Sequence, residues 1–205
     1  MNNGFIDKIV YINLNKREDR KEKITKELDE FGLQYERFEA IDRPGSGLGC
    51  ALSHLKVLEN AKNDESVNNI LILEDDFTFL VTKEEFYNEI NSFFKHELAS
   101  TYNVCFISYN VQCGVDLDNG IVNRALKSQT ASGYIVNRNY FDTLIDLYRH
   151  SSVMLERTKQ HWLWANDTAW FQNQEKDNWF YFKKRIGKQA AGYSDNGECF
   201  ADYNV

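Results

Sequence analysis

An α/β fold, with a mixed but mostly parallel central sheet flanked by helices, is what this sequence predicts, on three observations. The chain opens with a strand, a helix and a second strand in succession, the crossover unit of parallel sheets. Further on, Ile70, Leu71, Ile72 and Leu73 form an unbroken aliphatic run, the pattern of a strand covered on both faces. Helices with one-sided apolar stripes recur between the strands, as they must if each covers part of a sheet.

Taken in order, residues 8–14 (KIVYINL) are rich in Ile, Val and Tyr and read as the first strand. After a polar turn, Ile24, Leu28 and Phe31 recur at helical spacing over residues 20–31, and Gly32 is placed to end the helix. The next strand is residues 35–41. Residues 43–49 (RPGSGLG), which include the only proline, Pro44, form a Gly-rich loop suited to close approach of a ligand. It leads into a helix over 48–61 with a stripe of Leu48, Leu52, Leu55 and Leu58. Thr82 and Glu85 have capping-box spacing ahead of a helix bearing Phe86, Ile90, Phe93 and Phe94. Residues 104–109 form a strand, and Asp118, Asn119 and Gly120 mark a hairpin between short strands. In 130–136 (TASGYIV) small residues give way to a strand, which leaves room for something to pack closely. Residues 140–148 are helical. The segment 160–171 gathers His161, Trp162, Trp164 and Trp170 around Asn166 and Asp167, either of which could cap a short helix. A last strand is expected at 178–184.

At 205 residues the chain suffices for one well-buried domain, and one spanning 1–205 is expected. Apolar residues make up 42% and charged residues 27%, a soluble globular balance. A formal charge of −7 argues against nucleic acid as a partner, because such affinity rests on a basic surface. Residues 1–8 lack an apolar core of signal-peptide length and no later run approaches a bilayer span, so a cytoplasmic protein with no membrane span is expected. Cys50, Cys105, Cys113 and Cys199 show no CxxC spacing and read as reduced structural thiols, with a Cys105–Cys113 bridge open on separation alone.

Four groups carry the possible chemistry if the first and acidic strands are neighbours, since ligands bind beyond the carboxyl ends of such strands. Tyr11 and Asn13 lie on the first strand, and Asn13 can read a ring edge. Arg17 and Arg20 can pair with phosphate, or with Glu18, Asp19 and Glu22 on the helix surface. The segment Gly49, Cys50, Ser53 and His54 begins a helix, whose free N–H groups suit an anion, though a lone helical His is commonly structural. The aliphatic strand stops in Glu74, Asp75 and Asp76. Strand alternation puts Glu74 and Asp76 on one side, as oxygen ligands for a hard divalent ion, and Asp75 on the other. Solvent termination of the strand is the bland alternative. Asp167, among tryptophans, is either a desolvated carboxylate or a helix cap.

The ordered set YINL, RxDR (Arg17, Asp19, Arg20), GCxxSH (Gly49, Cys50, Ser53, His54), ILEDD and SGYIV resembles glycosyltransferase family 25. That family includes lipopolysaccharide-type sugar transferases and procollagen galactosyltransferases. The likeness covers residues 8–136, with weaker agreement at Asp167, Gln189, Ser194 and Asp195. It implies a GT-A-like nucleotide-sugar fold, an acidic motif holding Mn²⁺ or Mg²⁺, a UDP-sugar donor, a glycan or protein acceptor, and inversion at the anomeric carbon. Residues 185–193 keep the Gln but lack the proline that members often carry, and His161 is the one late His available as an extra metal ligand.

The expected protein is therefore a metal-dependent inverting hexosyltransferase. Asp76, with Glu74 or Asp75, holds the ion; Tyr11, Asn13, Arg17, Arg20, Gly49, Ser53, His54 and Asp75 seat the donor. Asp167 is the base, with Asp195 as runner-up, and Trp162 and Trp164 line the acceptor groove. A non-catalytic module of the same fold that binds a glycan or a partner enzyme is the alternative, which donor hydrolysis or transfer would exclude. A receiver-like phosphoacceptor domain fits less well, since it needs its acidic pair near the first strand.

Overall fold

The computed structural model describes residues 4–43, 47–194 and 199–202. Strand β1 (Lys8–Asn13) is followed by α1 (Glu18–Phe31), which Gly32 ends in the left-handed region at φ 68°. Then come β2 (Glu36–Glu39), α2 (Leu48–Asn63), β3 (Asn69–Glu74), β4 (Phe77–Phe79) and α3 (Lys83–Lys95). The Thr82–Glu85 capping box that opens α3 forms in full. Beyond it lie β5 (Val104–Phe106), β6 (Asn110–Val115), β7 (Val122–Gln129), β8 (Gly133–Asn137) and α4 (Phe141–Thr158). The short helices α5 (His161–Trp164), α6 (Asn166–Ala169) and α7 (Phe171–Lys176) precede β9 (Trp179–Phe182), β10 (Gly187–Gln189), β11 (Gly192–Ser194) and β12 (Cys199–Ala201).

Eight strands form one mixed sheet in the order β2-β1-β3-β8-β5-β9-β7-β6. The pairings give six strands one direction and set β8 and β7 against them. β1 and β3 are parallel neighbours, so their carboxyl ends open at the same edge. Alternation along β3 explains its unbroken aliphatic run. Ile70 and Ile72 pack with Leu55, Leu58, Leu144 and Ile145 of α2 and α4, while Leu71 and Leu73 pack with Ile24, Leu28, Phe86 and Ile90 of α1 and α3. One residue further, the same alternation carries Glu74 toward α2 and Asp75 toward α1.

Several expectations need correction. α4 continues ten residues past 148, because Ser151, Ser152 and Leu155 are buried and Leu155 packs on Leu48 and Ala51 of α2. At 130–136 the group that packs closely on the small residues is a core ring, since a Cβ at Gly133 would stand 2.9 Å from Phe77. Neither Asn166 nor Asp167 caps a helix: Ala165 occupies that position before α6 and no side chain bonds there. As expected of reduced thiols, Cys105 and Cys113 are both free, one buried in the core and one exposed on the edge strand β6. Among the described residues, no helix is long and apolar enough to cross a membrane.

Candidate active site

β1 ends in Asn13, whose 1% exposure places its amide inside the fold. Nδ2 donates to Asp75 Oδ2 at 2.7 Å and to the Arg17 carbonyl at 3.0 Å, while Oδ1 accepts from Arg37 Nε at 2.9 Å. Both amide hydrogens are thereby committed, so Asn13 is not free to read a ring edge as expected; it fixes Asp75 and the start of α1. Arg37, on β2, is the residue that sequence reasoning missed. Only the β1–β2 pairing brings it there, with Asn13 opposite Glu39 two positions beyond it.

Arg20 lies between two aspartates. Its Nη1 donates to Asp75 Oδ1 at 2.8 Å and to Asp76 Oδ2 at 3.1 Å, and its Nη2 to the Tyr193 carbonyl at 2.7 Å. Arg17 forks onto Asp19 through Nε and Nη2 at 3.0 and 2.9 Å, and its Nη1 reaches the Tyr193 carbonyl at 3.3 Å. Burial raises Asp75 above the ordinary carboxylate range against the opposing pull of Arg20 and Asn13. Asp76 is pushed up to about 7, by burial first and then by the charges of Glu74 and Asp75. Its Oδ2 also accepts from Gln189 Nε2 at 3.1 Å, whereas the buried Oδ1 has no hydrogen-bond partner among the described residues. β3 stops at Glu74 and the chain turns through Asp75 and Asp76, so Asp76 shares Arg20 with Asp75 instead of projecting beside Glu74.

Glu74 faces the other way. Its Oε1 meets His54 Nε2 at 3.1 Å and Cys50 Sγ at 3.3 Å, both from α2. Burial works to raise this carboxyl, but the His54 and Cys50 contacts outweigh it and hold Glu74 below its ordinary value. An ionised Glu74 only accepts, so the proton of His54 sits on Nε2, and Nδ1 takes the Tyr134 hydroxyl at 2.7 Å. Asp167 lies on this side too. Burial raises it, partly offset by the Thr130 N–H, which reaches Oδ2 at 3.3 Å. That contact is delivered by an unusual backbone, for Thr130 has φ 81°, a genuine outlier for a β-branched residue.

Four residues expected to seat the donor are packed or hydrogen-bonded within the framework. Tyr11 is 2% exposed and packs edge-on to Tyr35. Gly49 serves a close chain crossing, because a Cβ there would lie 2.3 Å from the Ile41 carbonyl oxygen. The buried Ser53 hydroxyl joins Ile41 N–H at 2.9 Å to the Gly49 carbonyl at 2.7 Å. His54 is fully buried between Tyr134 and Glu74.

The end of β3 thus carries a carboxylate–arginine group on one side and a carboxylate–histidine–thiol group on the other. The sequence profile of glycosyltransferase family 25 (LPS biosynthesis protein) matches residues 44–159, more than half of the chain. The chain belongs to glycosyltransferase family 25. A protein of Acanthamoeba polyphaga mimivirus, named as a candidate glycosyltransferase, is 38% identical over a stretch covering 35% of this family 25 chain and 29% of the relative, under a third of its length. Among solved structures, a glycosyltransferase involved in the glycosylation of the major capsid of PBCV-1 superposes with a TM-score of 0.58 at 8% identity, covering 92% of this chain and 94% of that one. The glycosyltransferase GlyE of Streptococcus pneumoniae gives a TM-score of 0.49 at 9% identity, over 87% of this chain and 45% of that one. The family 25 chain has the GT-A fold, with its large mixed sheet between helices.

The tryptophans separate by burial. Trp162 is 60% exposed and Trp164 half-buried against His150, both on α5, whereas Trp170 is wholly buried among Phe106, Tyr134 and Trp179. His161 is exposed with its ring against Trp162; among the described residues, the cluster with metal-ligand spacing is Cys50, His54 and Glu74. Asp195 lies outside the described residues.

Proposed function

We propose that this family 25 chain is a metal-dependent inverting glycosyltransferase that moves a hexose, galactose or glucose, from a UDP-sugar to a glycan or a hydroxylated protein. The single observation that supports this most is Asp76. A carboxylate buried beside two others, raised to about 7 and with Oδ1 lacking a partner among the described residues, fits a divalent cation better than solvent does. Asp76, with Asp75 or Glu74, would hold Mn²⁺ or Mg²⁺. The chemistry such an ion supplies when bound is neutralisation of charge on a leaving diphosphate.

The chain's own residues do the rest. Arg20, and Arg17 just ahead of the same helix, lie beside the acidic turn and can pair with phosphate oxygens in place of the Tyr193 carbonyl. Asn13, itself fixed by Arg37, holds Asp75 in place. On the other side of β3, Asp167 takes the proton of the acceptor hydroxyl, and a raised affinity for protons brings a general base nearer its working pH. Trp162 offers an exposed ring for an acceptor sugar to stack on.

The test is release of UDP from UDP-galactose and UDP-glucose, with and without glycan acceptors. Asp167→Asn should lower turnover by ~10²- to 10⁴-fold while donor affinity stays within about twofold. Wild-type turnover in that variant would remove Asp167 as the base.

A further inference from the structure

We propose a second cation site, for zinc, formed by Cys50 Sγ, His54 Nε2 and Glu74 Oε1. These three atoms lie within 4.8 Å of one another. Cys50 and His54 are four residues apart on α2, so both project from one face of the helix, and Glu74 meets them from the end of β3. A tetrahedral zinc with ordinary bond lengths to sulfur, nitrogen and oxygen has ligand-to-ligand edges of about 3.3–3.6 Å. Glu74 Oε1 stands 3.3 Å from the sulfur and 3.1 Å from the nitrogen, so the ligand set closes on an ion with small side-chain adjustments. Thiolate with imidazole selects zinc over the hard Mn²⁺ and Mg²⁺ that the acidic turn suits.

Two neighbouring contacts match what such a site requires. A zinc-bound histidine hands its other ring N–H to an oxygen, and Tyr134 stands 2.7 Å from His54 Nδ1, with Tyr148 3.3 Å further on. Asn166, 5% exposed, sets its Oδ1 3.9 Å from the Cys50 sulfur and has a buried Nδ2 without a hydrogen-bond partner among the described residues. Three protein ligands leave the fourth corner to a water. Half-buried Cys50 and Glu74 give the ion a path from solvent. Binding releases one proton, that of the thiol; the Nε2 proton of His54 is exchanged for one on Nδ1, donated to Tyr134. Glu74 then belongs to zinc, which leaves Asp75 and Asp76 to the ion of the donor site.

The site does not depend on the donor reading, because metal content is measured without any sugar nucleotide. The full chain is equilibrated with zinc, freed of excess by gel filtration and assayed by elemental analysis, beside Cys50→Ser and Asp76→Ala; each sample is checked for folding by circular dichroism. Cobalt(II) replaces zinc in a parallel set. About one zinc per chain is expected in the wild type and in Asp76→Ala, with at least tenfold weaker retention in Cys50→Ser. The cobalt form should show a thiolate-to-metal charge-transfer band that Cys50→Ser abolishes. A folded wild type that retains no zinc would overturn the proposal. So would zinc lost in Asp76→Ala but kept in Cys50→Ser, or a cobalt spectrum with no thiolate band.

Discussion

Replacing Arg20 with Met keeps the length of the side chain and removes the one guanidinium that meets both Asp75 and Asp76. The three side chains are 17%, 9% and 12% exposed, so this is a largely buried group in which two carboxylates depend on one cation. Breaking a buried pair by deleting one partner costs ~3–5 kcal/mol, and partial exposure of Arg20 places this case near the lower end, at ~3 kcal/mol. For a chain of this size that corresponds to a fall in melting temperature of about 6–12 °C in metal-free buffer at pH 8. The loss should shrink toward pH 5, because without Arg20 the raised carboxyls take up protons and the uncompensated charge disappears. Thermal unfolding at the two pH values measures both effects, and the double variant Arg20→Met/Asp75→Asn should recover part of the loss at pH 8. A melting temperature at pH 8 within about 2 °C of wild type would show that Arg20 is not what balances the acidic turn.

Asp76 itself predicts a pH dependence: its folded-state value of about 7 stands above the ordinary 3.8, so the folded chain holds this proton more tightly. The resulting stability is full below about pH 4 and is lost as pH rises through about 7, so metal-free wild type should lose stability between pH 5 and 8 relative to Asp76→Asn, read by denaturant titration; parallel curves would refute the assignment. Trp170 and Trp162 make a contrasting pair. Trp170→Ala, in the core, should cost ~3–5 kcal/mol, whereas Trp162→Ala should stay within ~0.5 kcal/mol and raise the KM for acceptor with kcat little changed.

How far the sequence could be read depended on whether a feature was local. Alternation along residues 70–75 suffices to place Glu74 and Asp75 on opposite faces, and the capping box at Thr82 needs only its own four residues. Asp76 escaped the same rule because the chain turns after Glu74, and turn geometry here is set by the pairing of β4 with β10 more than one hundred residues later in the chain. Asn13 was visible as a polar residue ending a strand, but its saturation depends on Arg37, Asp75 and Arg17, which the sheet and α1 bring together. The helix start suggests an anion site at Ser53 and His54, but their partners, Ile41, Glu74 and Tyr134, are distant in sequence and turn them inward. Insertion of the reversed strand β8 beside β3 left no local signal at all, since strand order follows packing and not sequence succession.

Thermal unfolding with UDP, UDP-galactose and UDP-glucose, each with Mn²⁺ and with chelator, tests the central claim most directly when run beside Asp76→Ala. At one hundred times its dissociation constant a ligand of the native state adds ~2.7 kcal/mol, a rise of roughly 5–11 °C for a chain of this size. A UDP-sugar should give a shift that requires both Mn²⁺ and Asp76. A folded wild type that shows no shift with any of the three, or one that keeps its shift in chelator and in Asp76→Ala, would contradict it.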